Sequence, residues 1–422
     1  MNLSILATLF LALAILHTFL ASHLTQLSHR FPEPSVTRAL LHLLGEVEVV
    51  FGLWAGIFIL IFSLVETPTA AIEYIEKLEF TEPLFVFVVM VICGSRPILT
   101  FAQKLILIFS RALQEFLRIP GSLADVFCLL GLAPLLGSFI TEPAAMTVVA
   151  LLLRKMIVNL KLRTLYFLLA VLFVNISVGG ALTPFAAPPI LMVAQVWGWG
   201  LTETLSQFGA KSVLVTVLNA ALFVLFFRHD LKQGLRPLRT LQESAGPSLW
   251  VEISHLVFLL LVVLTSHHPN MFMGIFLFFI GLTAATRRDQ EPLRFRESLL
   301  VAFFLGGLMI FGEFQKWWLQ PILATLSDGA LFLGATGLTS ITDNAALTYL
   351  GSQVSGLSDS SKYALVAGAL AGGGLTVLAN APNPAGYSIL SPKFPGQAVN
   401  HLGLLAAAVL PTLVAVGFFW LF

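Results

Sequence analysis

Two carboxylates occupy matching places in two apolar stretches of this chain. Residues 140–147 read Ile-Thr-Glu-Pro-Ala-Ala-Met-Thr and residues 341–348 read Ile-Thr-Asp-Asn-Ala-Ala-Leu-Thr, which puts Glu142 and Asp343 in register. A carboxylate at bilayer depth costs at least ~2.5–3.5 kcal/mol on insertion scales, so one that is kept there is read first as functional. Both triplets, Thr141-Glu142-Pro143 and Thr342-Asp343-Asn344, also suit helix starts, because Pro is favoured at the first helical position and Asp or Asn caps well. Capping explains a single such residue better than a matched pair. Burial favours the protonated carboxyl, whereas a helix N-terminus or a bound cation favours the carboxylate. A group balanced between these holds either a proton or a small hard cation such as Na⁺. Hard cations take oxygen ligands. The hydroxyls of Thr141, Thr342, Ser340, Thr183 and Thr376 and the amides of Asn344, Asn175, Asn380 and Asn383 are the candidates.

A second motif also recurs. Gly179-Gly180-Ala181-Leu182-Thr183 returns as Gly372-Gly373-Gly374-Leu375-Thr376. The stretch from Asn175 to Gly180 and the glycines 372–374 are expected to frustrate a continuous helix, and Pro184, Pro188 and Pro189, or Pro382 and Pro384, to stop it resuming. Such breaks survive at membrane depth only where the backbone is buried in protein or lines a wet cavity. Two further landmarks, Leu123-Ala124-Asp125 with Leu326-Ser327-Asp328, and Arg118-Ile119-Pro120 with Leu319-Gln320-Pro321, keep the same order. The chain therefore reads as two related halves meeting at one site.

The elements that must position these residues are membrane helices. Hydrophobic residues make up 57% of the chain and charged ones 11%, and apolar runs of about 18 residues or more recur throughout, each able to cross a core of ~30 Å. Net charge is +1, which gives no reason to expect a nucleic-acid partner. Cys93 and Cys128 both lie in apolar runs, against a disulfide framework or a metal cluster. Spans are expected near 3–23, 40–65, 83–100, 208–228, 249–265, 270–286, 298–313 and 401–421. The first is read as a retained span, because no basic residue precedes it. Stretches 66–82 and 228–248 are expected to be loops. Helix–break–helix units are expected at 122–158 and 322–357, and interrupted spans at 162–198 and 361–391.

This gives an all-α polytopic membrane protein with an N-terminal span and loop (1–39), a first repeat (40–228), a cytoplasmic linker (229–248) and a second repeat (249–422). Arg228, Lys232, Arg236 and Arg239, then Arg287, Arg288, Arg294 and Arg296, flank the pair of spans at 249–286, while the turn between those spans has neither Lys nor Arg. The basic side is expected to be cytoplasmic. The first hairpin then enters from inside, the second from outside, and the repeats are inverted, provided the charged segment 101–118 also crosses. Asp125 and Asp328 read as hairpin N-caps. Glu46 and Glu48 are two apart and cannot share one helical face, so one is expected to snorkel while the other pairs internally.

At these residues the chain resembles the ion transporter superfamily, which includes sodium/proton antiporters, arsenite permeases and sodium-coupled dicarboxylate and citrate transporters. The glycine-rich break from Gly179 to Pro189 and Thr342-Asp343-Asn344 carry the likeness. The sequence from Leu44 to Gly52 points more narrowly to a bacterial family named for sodium/proton antiport. The resemblance implies two inverted repeats with re-entrant hairpins and unwound helices, a homodimer, and elevator-type motion. The dicarboxylate branch has Ser-Asn-Thr at both tips; acidic tips here would repel an anion.

The expectation is a non-enzymatic secondary transporter in a bacterial inner membrane, exchanging Na⁺ or Li⁺ for H⁺ with no cofactor. Glu142 and Asp343 would bind the ion, beside the breaks at Gly179, Gly180, Gly372, Gly373 and Gly374. Two other readings remain: a sodium-coupled symporter or anion permease of the same superfamily, and an intramembrane hydrolase using the paired acids.

Overall fold

The computed structural model describes residues 2–241 and 246–421, without the side chains of Ser22, Val47, Glu48, Leu117 and Leu241. Residues 242–245 of the expected linker and the Glu48 side chain thus lie outside the described residues. Among the described residues the regular elements are helices, apart from one isolated bridge between Ile157 and Leu235. Six helices are long and apolar enough to cross a membrane, and eight if each of two bent pairs is counted as one span. The protein is a polytopic helical membrane protein.

Several expected elements are re-cut. The stretch 40–65 is two helices, Val36–Leu44 and Val47–Val65, bent by 95°. Gly45, a poor helix former, ends the first. Glu46, extended at φ −90° and ψ 117°, caps the second and is held sideways by Arg296. Segment 101–118 is no separate element: it belongs to Arg96–Leu117, which follows Thr81–Cys93 after a 68° bend at Gly94-Ser95. The stretch 66–82 holds a helix, Pro68–Lys77, started by Thr67, whose side chain accepts from the Ala70 amide. The span expected at 208–228 runs from Leu201 to Gly234, so the linker expected from 229 begins inside a helix. Phe295–Gly312 continues through Lys316–Leu323, and the hairpin expected from 322 therefore starts at Asp328.

Two helix–turn–helix units follow. In the first, Gly121–Ile140 leads through Thr141 into Glu142–Met156. In the second, Asp328–Thr339 leads through 340–343 into Asn344–Ser352. The arms of the second unit have 12 and 9 residues. At 1.5 Å per residue they reach about 18 and 14 Å, short of a ~30 Å core. The 20-residue first arm of the other unit would reach about 30 Å.

Asp125 is not a cap. It lies buried inside the first arm and accepts from the Ser110 hydroxyl at 2.5 Å and the Leu238 amide at 2.8 Å. Ser327, not Asp328, caps the second unit; Asp328 accepts instead from Ser361 at 2.6 Å.

The interrupted helices behave alike. Leu162–Gly179 stays helical through Asn175, tightens over Gly180–Leu182, and resumes as Pro188–Trp197. The break thus lies downstream of the glycine pair rather than from Asn175 onward. Asp359–Gly372 ends at its glycines, turns through 373–382, and resumes as Asn383–Leu390. Around these elements lies the main core, which includes Leu168, Leu172, Phe173 and Ile176. A second core joins the N-terminal helix, Val47–Val65 and Phe295–Gly312 through Phe10, Phe51, Phe58, Phe304 and Phe311. The second core also takes in Met192 of the first interrupted helix and Ala345, Ala346 and Tyr349 of the second helix–turn–helix unit.

Candidate ion-binding site

Glu142 opens the second arm of the first unit and is completely buried. The residue before it, Thr141, has φ 70° and ψ 151°. That region is sterically reserved for glycine, and a β-branched residue held there costs about 1–3 kcal/mol that the surroundings must sustain. This turn aims the Glu142 side chain across the tip toward the glycine break of its own half. A Cβ on Gly180 would collide with the Glu142 carboxyl, so only glycine lets the two meet.

One carboxylate oxygen, Oε2, accepts from Asn380 Nδ2 at 2.7 Å; the other, Oε1, is buried with no partner. Asn380 belongs to the break of the other half. The adjoining carbonyl of Ala379 accepts the Asn344 amide at 3.1 Å, which docks the tip of the second unit on that same break. Asn344 Nδ2 donates to Ser177 Oγ at 3.5 Å, and Ser177 donates to the Leu370 carbonyl at 2.9 Å. A Cβ on Gly373 would meet both Ser177 and Asn344, the counterpart of Gly180 against Glu142. Asn383 donates to the carbonyls of Gly373 and Thr376 at 2.8 and 2.9 Å, closing the loop of the second break.

What these groups leave over defines the site. Thr141 Oγ1, Glu142 Oε1, Asn344 Oδ1, Asn380 Oδ1 and Asn383 Oδ1 are all buried and unpartnered. A buried polar atom without a partner costs roughly 1–3 kcal/mol, and such groups call for an explanation. Five oxygens, one of them carboxylate, drawn from both tips and from the second break, are of the type a small hard cation takes. Among the described residues no three His, Cys, Asp or Glu side chains cluster as metal ligands; the donor set is amide, hydroxyl and one carboxylate.

Asp343 stands differently from its partner in sequence. Its Oδ1 accepts from the amides of Ala345 and Ala346 at 2.8 and 3.1 Å, so it caps its own helix, half-buried. It is near enough to Glu142 for the two charges to interact. In the second half it is Asn344 that enters the buried contacts.

Thr183 and Thr376 act as matching stitches, donating to the carbonyls of Ser138 at 2.6 Å and Ser340 at 2.8 Å. Ser340 turns its own hydroxyl back to Gly337, and Thr342 is half-buried in the turn. Asn175 does not join the site: its amide bonds to the carbonyls of Leu130 and Thr216 and to Asn219, as helix packing. Ser138, which takes the Leu182 amide and donates to Gly179, and Ser177 are contributors that sequence reasoning missed. Lone serines in apolar helices carry no signal of such a role.

A cavity of roughly 530 Å³ leads to this place. Its lining includes Thr141, Ala144 and Pro382, which are buried, and Arg296 and Glu297, which are exposed and mark its mouth together with the neighbouring His42, Glu46 and Arg294.

Comparison with known proteins then places the chain. A family model described as "Putative Na+/H+ antiporter" matches residues 2–422. No curated protein matches.

Proposed function

The chain belongs to the Na⁺/H⁺ antiporter family that matches it over residues 2–422, and on that premise we propose that Glu142 is the group over which Na⁺ and H⁺ compete. The observation that carries this reading is the unpartnered Glu142 Oε1 together with four other buried, unpartnered oxygens on the tips and the second break. With Na⁺ bound, Glu142 is ionised, and Thr141, Asn344, Asn380 and Asn383 offer neutral oxygens to replace the ion's water. When Na⁺ leaves, a buried carboxylate without a counter-ion is costly. A proton arriving at Oε1 removes that cost, and binding of the next Na⁺ expels it. Exclusive occupancy couples the two ions without further machinery.

The proposal extends to the architecture. The two tips act as re-entrant hairpins of inverted repeats, and the body that holds both breaks slides against the one built on the N-terminal helix. Asp343 tunes Glu142 by its charge rather than holding the ion itself. A homodimer, the bacterial inner membrane and acceptance of Li⁺ belong to the same reading. Arg294 and Arg296 at the cavity mouth are the feature that would suit the second reading, a sodium-coupled anion symporter.

The test is dye-reported proton flux in proteoliposomes with an imposed pH gradient and Na⁺, Li⁺, K⁺ or choline added in turn. Collapse of the gradient by Na⁺, lost in Glu142→Gln, is the expected result. No response to any cation from folded protein would overturn antiport, and an anion-dependent Na⁺ current would establish the symporter.

A further inference from the structure

The mouth of the cavity carries two arginines and two glutamates. Arg296 Nη2 reaches Glu46 Oε1 at 2.5 Å, and His42 Nδ1 lies 3.3 Å from the same oxygen. The Glu46 side chain is 14% exposed, and its Oε2 is buried without a partner. Glu46 sits where the helix Val47–Val65 begins, and Arg296 in the first turn of Phe295–Gly312. The two helices pack closely through Phe51 and Phe304, whose rings lie 5.0 Å apart. The charge pair is therefore fixed to one body, facing a cavity whose opposite wall is formed by 141–147 and 381–388.

A cation passing this mouth meets Arg294 and Arg296 first. Unopposed, these would raise the potential along the approach and lower the local concentration of cations. We propose that Glu46 sets the apparent affinity for the transported cation by cancelling the charge of Arg296 at the cavity mouth. The inference rests on the cation-exchange reading above. Glu46 is a steering residue: Arg296 and His42 both lie against its Oε1, and its effect is on arrival rather than on the exchange at Glu142.

The experiment is Na⁺-dependent proton flux in proteoliposomes at low ionic strength, comparing Glu46→Gln, Arg296→Gln and the double variant, all three folded by thermal unfolding. Glu46→Gln should raise the KM for Na⁺ about two- to fivefold with kcat kept, the size expected of one unit charge acting through water near the path. Arg296→Gln should lower KM, and the double variant should return to the wild-type value. Both shifts should fade when choline chloride brings the Debye length to ~8 Å or less. An unchanged KM in Glu46→Gln, a rise in both single variants, or failure of the double variant to restore the value would overturn the inference and leave antiport standing. If the wild type moves no cation, antiport itself falls and this inference with it.

Discussion

Asn380 Nδ2 donates to Glu142 Oε2 at 2.7 Å, joining the break of the second half to the tip of the first. This bond fixes which carboxylate oxygen remains free and holds the Asn380 carbonyl oxygen beside it. Removal of the amide should therefore weaken the ion site while leaving the carboxylate in place. Asn380→Ala should raise the KM for Na⁺ by about ten- to a hundredfold, the worth of a hydrogen bond to a charged group. The check is the Na⁺ dependence of proton flux in proteoliposomes.

Glu142 and Asp343 should separate under the same substitution. Glu142→Gln leaves no group to carry the proton and should abolish exchange. Asp343→Asn keeps a capping side chain and should retain exchange with an altered KM. Asp343→Ala loses the bonds to Ala345 and Ala346 and should cost about 1 kcal/mol of stability. Thermal unfolding beside flux assays distinguishes the two effects. Loss of exchange in Asp343→Asn equal to that in Glu142→Gln would make Asp343 an ion ligand.

Competition for one carboxylate fixes the pH dependence. At the acid end the apparent KM for Na⁺ should rise by about tenfold per pH unit, the slope one exchanged proton per ion imposes. The maximum rate at saturating Na⁺ should move far less. A KM independent of pH would mean that Na⁺ and H⁺ do not share a group.

Gly180 and Gly373 face Glu142 and the Ser177–Asn344 pair without room for a methyl. Gly180→Ala and Gly373→Ala should each cost roughly 1–3 kcal/mol by overpacking and depress exchange. Gly56, inside the helix Val47–Val65 with nothing close to where its Cβ would stand, supplies the control: Gly56→Ala should leave exchange unchanged and hold or raise stability, by up to about 1 kcal/mol.

Asn175 tests the boundary of the site. Its three hydrogen bonds tie the helix of the first break to neighbouring helices. Asn175→Ala should lower the unfolding temperature while the KM for Na⁺ stays put. Asn383→Ala, which removes one of the five unpartnered oxygens, should raise that KM.

The matched strings stand out in the sequence because they are short and unusual. Thr141-Glu142-Pro143 against Thr342-Asp343-Asn344, and the doubled glycines, mark segments that touch in the structure, Glu142 on Asn380 and Asn344 on Ala379 and Ser177. The unequal surroundings of the two acids were not legible. Sequence register pairs Glu142 with Asp343, but the first unit's second helix begins at Glu142 itself, after Thr141 at φ 70°, whereas Asp343 stands just before its helix and turns its short side chain onto it. Backbone conformation at one residue decides this, and composition does not encode it. Asn175, six places before the Ala181–Leu182 turn, looked like part of the break because its partners Leu130, Thr216 and Asn219 lie 41 to 45 residues away. The pairing of Glu46 with Arg296 spans 250 residues and was out of reach for the same reason. Bends at Gly45 and Gly94-Ser95 re-cut the expected spans because a glycine ends the first helix of each pair, and at the second bend a proline opens the next, signals that apolar length overrides in the sequence.

The cavity that ends at Thr141 has a consequence for voltage. Water and mobile ions inside it would carry the potential of the adjoining solution down to the hairpin tip. The membrane field would then fall mostly across the protein beyond Glu142, rather than evenly over ~30 Å of hydrocarbon. An ion reaching Glu142 by this route has crossed little of the potential. On the proposed sliding of the site, nearly all of the ~2.3 kcal/mol per charge per 100 mV would be met in that movement.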